Sequence, residues 1–348
     1  MASGSNVAPR DPASQRVGGP AAHCRASVHA TIALSESQHR MPIRGRFARN
    51  RQDDVALFRV CESGARVMTL PRRRFTRIIT VLTVTGLLAG LAVTASAQWG
   101  YFREGRAPAR YPPASMPDRD FSFCKLAYTS VRYEDLGMGW RTDYPYAGIN
   151  LMTRYSELTT AQISTDTRGE PNHWVVELTD KELFNCPFIM AADVGTIGLS
   201  GAEADGLRTY LLKGGFLWVD DFWGSIAWQH WSSEIAKVLP PGQYPIHDVP
   251  LDHPVFRALM YVEEVPQITA IQFWGWNGGN TSERGDDSAE AHLRAITDES
   301  GRILVLMSHN TDVADAWERE GEDPNYFKQF SPNGYGLGIN VLLYAMSH

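Results

Sequence analysis

Two uninterrupted apolar runs constrain this chain more than any other feature: Pro-Phe-Ile-Met-Ala-Ala-Asp-Val at 187–194 and Phe-Leu-Trp-Val-Asp-Asp at 216–221. A strand with one solvated face alternates apolar and polar residues. A run that is apolar at almost every position belongs to a strand covered on both sides. Between the two runs the spacing predicts a helix over 201–213. Ser200 and Glu203 stand at capping-box spacing, Leu207, Tyr210 and Leu211 share a face, and Gly214-Gly215 stops it. A second helix is expected from about 225 to 238, closed by Pro240-Pro241. Strand, helix, strand, helix with buried strands predicts an α/β domain: a mostly parallel central sheet with helices on both faces.

The rest of the chain fits around that unit. Strands are expected at 120–128 and 174–178, and a helix from 150 to about 158. The segments 292–297 and 303–308 flank Asp298-Glu299-Ser300-Gly301 and read as a hairpin. An acidic helical stretch holds Asp315, Trp317 and Glu318, and an apolar helix covers 336–346 near the C-terminus.

The N-terminal third has a different composition. All 10 Trp and 13 Tyr lie at or beyond Trp99, and the first Lys is Lys125. Residues 72–74 and 77 are Arg, the run 78–93 is apolar, and Ala95-Ser96-Ala97 follows; these are the three parts of a secretory signal. The run falls short of the roughly 20 residues of a membrane span, so a cleaved leader at 68–97 is expected ahead of an anchor formed by 78–93. Arg72-Arg73 with Phe75 also resembles a twin-arginine export signal. Residues 1–67 cannot bury enough apolar surface to order themselves, and read as a disordered or mis-assigned extension upstream of Met68. Residues 98–119 read as a Pro-rich linker and 120–348 as one domain. An exported protein, periplasmic or secreted, is the expectation.

After residue 97 the chain holds 19 basic and 34 acidic residues, a net charge of −15. A phosphate-tracking basic face is absent, which argues against nucleic acid as a partner. A small polar ligand or a protein partner remains, with membrane contact only through an uncleaved leader. Cys124 and Cys186 lie inside apolar runs, where buried free thiols are expected and a disulfide is the alternative.

Several separated motifs carry a family resemblance. Trp140-Arg-Thr-Asp143-Tyr-Pro145, Asn150-Leu151, Gly214-Gly215 through Asp220-Asp221, Asp252-His253-Pro254, Ser308-His309-Asn310-Thr311-Asp312 and Gly338-Ile-Asn340 occur in order over 119–348. Together they resemble the bacterial family catalogued as domain of unknown function 4159. The resemblance implies a class I glutamine-amidotransferase-like fold, and Gly301-Arg302 leading to Ser308-His309 looks like its trehalose-utilisation-type branch. In amidotransferases a nucleophilic Cys sits on a sharp turn after a central strand, activated by a His and an acid. Here that strand leads into Asp220-Asp221, and no Cys follows Cys186. Glutaminase chemistry is therefore not expected.

Ligands of open α/β sheets bind outside the carboxyl ends of the strands. Asp220 and Asp221 stand at such an end, as a proton acceptor, a hydroxyl acceptor or a helix cap. Trp140 and Asp143 lie in an aromatic, Gly-containing loop suited either to a sugar-like ligand or to its own small core. Trp223, His253, Arg284, His309 and Asn310 complete the expected pocket lining. Candidate catalytic groups are Asp220, Asp221, His253 and His309, since proton transfer needs an Asp and a His in reach. Those groups could form a mixed metal site only with His ligands at suitable spacing, and no His pair has it, so no metal is expected and the sequence names no cofactor. The acids at 286–287 and 312–318 read as solvated loops. The expectation is a pocket for a small polar ligand, carbohydrate included, with an envelope interaction module and an Asp/His hydrolase or isomerase as alternatives.

Overall fold

The computed structural model describes residues 107–348. The expected leader at 68–97, the extension at 1–67 and the start of the linker lie outside the described residues. In chain order the strands are β1 (Phe123–Ala127), β2 (Thr129–Ser130), β3 (His173–Glu177), β4 (Phe188–Ala192), β5 (Ile197–Gly198), β6 (Phe216–Asp220), β7 (His247–Asp248), β8 (His292–Thr297) and β9 (Ile303–His309). The helices are α1 (Tyr146–Leu158), α2 (Gly201–Leu212), α3 (Gly224–Val238), α4 (Ile271–Trp276), α5 (Asp315–Glu318) and α6 (Pro324–Ser347).

Seven strands form one sheet in the order β3-β1-β4-β6-β9-β8-β7. The first five run parallel, and β8 and β7 add an antiparallel edge. The mostly parallel α/β sheet expected from the apolar runs is therefore present, with β4 and β6 buried at every residue. Alternate residues feed two cores. Phe123, Met190, Trp218 and Leu306 face α1, α5 and α6 through Leu151, Trp317 and Leu337. Leu126, Ile189, Val219 and Met307 face α2 and α3 through Leu207, Leu211 and Trp231. The capping box at the start of α2 forms as the spacing demanded: Ser200 Oγ accepts the Glu203 N–H, and the Glu203 carboxylate accepts the Ser200 N–H.

Three expectations need correction. The cysteines are not free: Cys124 and Cys186 form a disulfide, with Cα atoms 6.1 Å apart. Cys124 lies on β1 and Cys186 just ahead of β4, and these strands are parallel neighbours. The sheet thus joins residues that are 62 positions apart in the chain. The C-terminal helix begins 12 residues before the expected 336, at Pro324, with Pro332 accommodated inside it. Asp323 caps it by accepting the Asn325 and Tyr326 N–H groups, and Tyr326 and Phe330 anchor the first turns against Trp274. Finally, the end of the Pro-rich stretch is fixed to the sheet. The Val175 N–H donates to the Arg110 carbonyl at 2.8 Å, and the Arg110 guanidinium lies over Trp174. This covers an edge that would otherwise offer unpaired backbone groups. No described helix is long and apolar enough to cross a membrane.

Candidate functional site

Three adjacent parallel strands, β4, β6 and β9, are each followed within one residue by a left-handed Asp or Asn: Asp193 (φ 54°), Asp221 (φ 54°) and Asn310 (φ 61°). These side chains tolerate that backbone region better than other non-glycine residues. The turns lock together at the carboxyl edge. The Asp193 N–H donates to the Asp220 carbonyl, the Asp221 N–H to Thr311, and the Asn310 N–H to Phe222. One consequence is that several carboxylates converge where the sheet should open to a ligand.

The largest group lies on the α1 and α5 side. Asp220 follows Trp218 on that face and is fully buried; its Oδ2 accepts the Ala314 N–H at 2.9 Å. Asp143, left-handed at φ 65°, precedes α1, and Asp315 and Glu318 lie on α5. One carboxylate oxygen from each of Asp143, Asp315 and Glu318 lies within 4.8 Å of the others. Lys125 of β1 is buried beside them, with Nζ 3.8 Å from Asp143 Oδ2, and Arg319 approaches Glu318 at 3.8 Å. Asp315 Oδ2 accepts the Ile271 N–H, and Asp312 Oδ1 accepts the Asp315 N–H. Burial, then the charge of Asp143, pushes Asp220 up to about 7, and the same two causes bring Asp315 to about 7. Burial and neighbouring acids hold Asp221 and Asp312 well above the carboxylate range. Asp193, whose Oδ2 accepts the Gly139 N–H, also stands at about 7 through burial.

A cleft of about 200 Å³ opens at the start of α3. Arg132, Glu134, Trp223, Ile226, Arg284 and Asp287 are among its walls. The Trp223 indole N–H donates to Asp221 Oδ1 at 2.9 Å, so the cleft wall touches one strand-end acid directly. Arg132 Nη1 donates to Glu134 and to the Gly195 carbonyl, and Arg284 Nη2 to the Asp135 carbonyl.

Of the residues expected to line one pocket, Asp143, Asp220 and Asp221 converge at the strand ends, and Trp223 and Arg284 line the cleft beside them. Four others lie elsewhere. Trp140 packs on Tyr144 beneath the Arg141 guanidinium, in the loop's own core. His253 accepts the Val255 N–H and lies against Tyr344, whose hydroxyl accepts the N–H of Ile303, the first residue of β9. That is the amino edge of the sheet. His309 points to the α3 face, opposite Asp220, between Phe222 and Trp228. Arg294 donates to its Nδ1, so its Nε2–H donates to the Gly224 carbonyl. Burial lowers it to about 4 and keeps it neutral. Asn310 accepts the Gly224 N–H through Oδ1 and so caps α3, while Asp287 takes the Ser225 N–H. Neither Asp220 nor Asp221 is the cap. The expected Asp/His proton-transfer pair is therefore not assembled by His253 or His309.

Sequence reading missed Lys125 and Asp193, and read Asp312, Asp315 and Glu318 as solvated although all three are buried. Asp193 directly follows β4 just as Asp221 follows β6, so the strand-end rule applied to both would have found it. A family model described as Domain of unknown function (DUF4159) matches residues 125–346. No curated protein matches the chain.

Proposed function

The chain belongs to the DUF4159 family, and we propose that it is an exported protein that binds a small polar ligand on a glutamine-amidotransferase-like sheet without glutaminase activity. The observation that carries this reading is the cleft at the carboxyl edge. It is small and combines Trp223 with Arg132, Glu134, Arg284 and Asp287, a lining that suits a hydroxyl-rich molecule such as a monosaccharide. The amidotransferase likeness draws support from the strand order and from the sharp left-handed turn after β6. An acid, Asp221, stands at that turn. A carboxylate does not form the thioester that releases ammonia from glutamine, and both cysteines beyond residue 97 are consumed in the disulfide. Export draws support from that same disulfide, since such bonds persist in oxidising compartments. An envelope interaction module is the second reading, favoured by exposed apolar side chains beside the cleft: Tyr133, Ile226 and, on the same loop as Tyr133, Val131 and Leu136.

A thermal-shift screen of the purified protein against neutral sugars, amino sugars and nucleosides tests the first reading. A ligand at 100 times its Kd is expected to add about 2.7 kcal/mol of stability, and Trp223→Ala is expected to remove the shift. A screen in which no small molecule moves the midpoint contradicts it.

A further inference from the structure

We propose that the Asp193 carboxyl latches the loop 132–139 over the strand ends, and that loss of its proton releases the loop and the cleft wall that it carries. The latch rests on contacts within the chain. Its role as a pH gate for binding rests on the cleft reading above.

The loop lies directly on the turn that follows β4. Asp193 Oδ2 accepts the Gly139 N–H at 2.7 Å, and Arg132 Nη1 donates to the Gly195 carbonyl at 2.7 Å. Two glycines permit the approach. A Cβ on Gly137 would stand 2.3 Å from Asp193 Oδ2, and one on Gly195 would stand 2.3 Å from Glu134 Oε1. Asp193 is buried beneath this cover. Tyr133, Glu134 and Asp135 of the same loop form part of the cleft wall, so latch and cleft share one segment.

The loop is held against a local preference. Leu136 stands at φ 71°, in the left-handed region that a bulky side chain rarely adopts. Its side chain is exposed, as are those of Val131, Tyr133 and Met138, so little packing offsets that strain. A segment with few buried apolar contacts opens locally without unfolding the domain.

The groups that face Asp193 set the direction of the response. Glu134 of the loop, Asp143 ahead of α1 and Asp221 after β6 are acids, and Arg132 acts the other way. The Tyr128 hydroxyl, at the end of β1, donates to the Asp193 carbonyl rather than to its carboxylate. Burial first, then Glu134 and Asp143, raise Asp193 to about 7 against the pull of the Gly139 N–H and Arg132. Lifting the loop admits water and returns the carboxyl toward its ordinary 3.8. The closed loop therefore holds the proton more tightly than the open one. By linkage, opening gains as pH rises through the upper value.

The test is hydrogen exchange of the full chain, followed by mass spectrometry at about pH 6 and about pH 8 and corrected for the intrinsic pH dependence of amide exchange. It needs no ligand, so a sugar screen without a hit removes the cleft reading and not the latch. Protection of peptides covering 134–142 is expected to fall about tenfold from the lower pH to the higher, as a carboxyl at about 7 requires. Asp193→Asn keeps an acceptor for the Gly139 N–H, suits the left-handed backbone and has no proton to lose. Its loop protection is expected to change by less than about twofold over the same interval. Gly137→Ala pushes the loop off the carboxyl, and is expected to speed exchange of those peptides about tenfold at the lower pH while peptides of α2 keep the parent's rates. Level protection in the parent, an Asp193→Asn response equal to the parent's, or a Gly137→Ala loop that exchanges as the parent's does would each overturn the latch.

Discussion

Replacing Asp220 with Asn is expected to stabilise the protein at about pH 8, by about 1–3 kcal/mol in urea unfolding. Most substitutions of a fully buried, hydrogen-bonded residue do the opposite. The sign follows from titration. Asp220 ionises near 3.8 in an unfolded chain and at about 7 in the fold. Its contribution to stability is full below the lower value and is lost as pH rises through the upper one. Each unit of that gap is worth about 1.4 kcal/mol, so above the upper value the ionised side chain costs the fold on the order of 4 kcal/mol. Asn keeps the acceptor for the Ala314 N–H and places an amide donor among carboxylates. The desolvation of that amide returns about 1–3 kcal/mol of the gain. A loss of stability in this variant, with the parent's pH profile unchanged, contradicts the reading of Asp220 as a burden on the fold.

The double variant Cys124→Ala with Cys186→Ala is expected to lose about 4 kcal/mol of stability. The disulfide closes a loop spanning 62 positions, and the entropy of such a loop in the unfolded chain sets that magnitude. Both residues are almost fully buried, so the truncated side chains also leave small voids. Urea unfolding of the oxidised parent and the variant measures the difference. Equal midpoints, or free thiols mapped to Cys124 and Cys186 in the native protein by mass spectrometry, contradict the bond.

The fold was legible where local rules coincide. Apolar runs at 187–194 and 216–221, a capping box at Ser200 and Glu203, and the Asp298–Gly301 turn each left a mark within a few residues. The disulfide and the extended α6 left weaker marks, because both depend on partners distant in sequence. The site shows the same division. Asp220 and Asp221 were visible because a strand end is a local feature. Lys125 and Asp315 were not, because a Lys in one strand and an acid in one loop look solvated until the sheet brings them together. His253 and His309 misled for the converse reason. Each lies beside a strand or a turn in sequence, but one stands at the amino edge and the other on the far face.

Acids that cost the fold stability persist where binding needs them, the exchange of stability for function seen at many sites. The surplus of carboxylates at the strand ends is the centre of this account. The pH dependence of urea unfolding measures it most directly. Asp193, Asp220 and Asp315 all stand at about 7, and each favours the fold as pH falls toward the ordinary carboxylate range. His309, lowered to about 4, acts the other way below 6.5. His173, His253 and His292, also lowered by burial, act with His309, and Asp221 and Asp312, held well above the carboxylate range, act with the acids. Each acid at about 7 gives up about 2 kcal/mol and His309 returns about 1.4 kcal/mol, so stability is expected to fall by on the order of 4 kcal/mol between about pH 5.5 and about pH 8. A profile that is flat or rises over that interval shows the acids to be ionised at no cost, and contradicts the account.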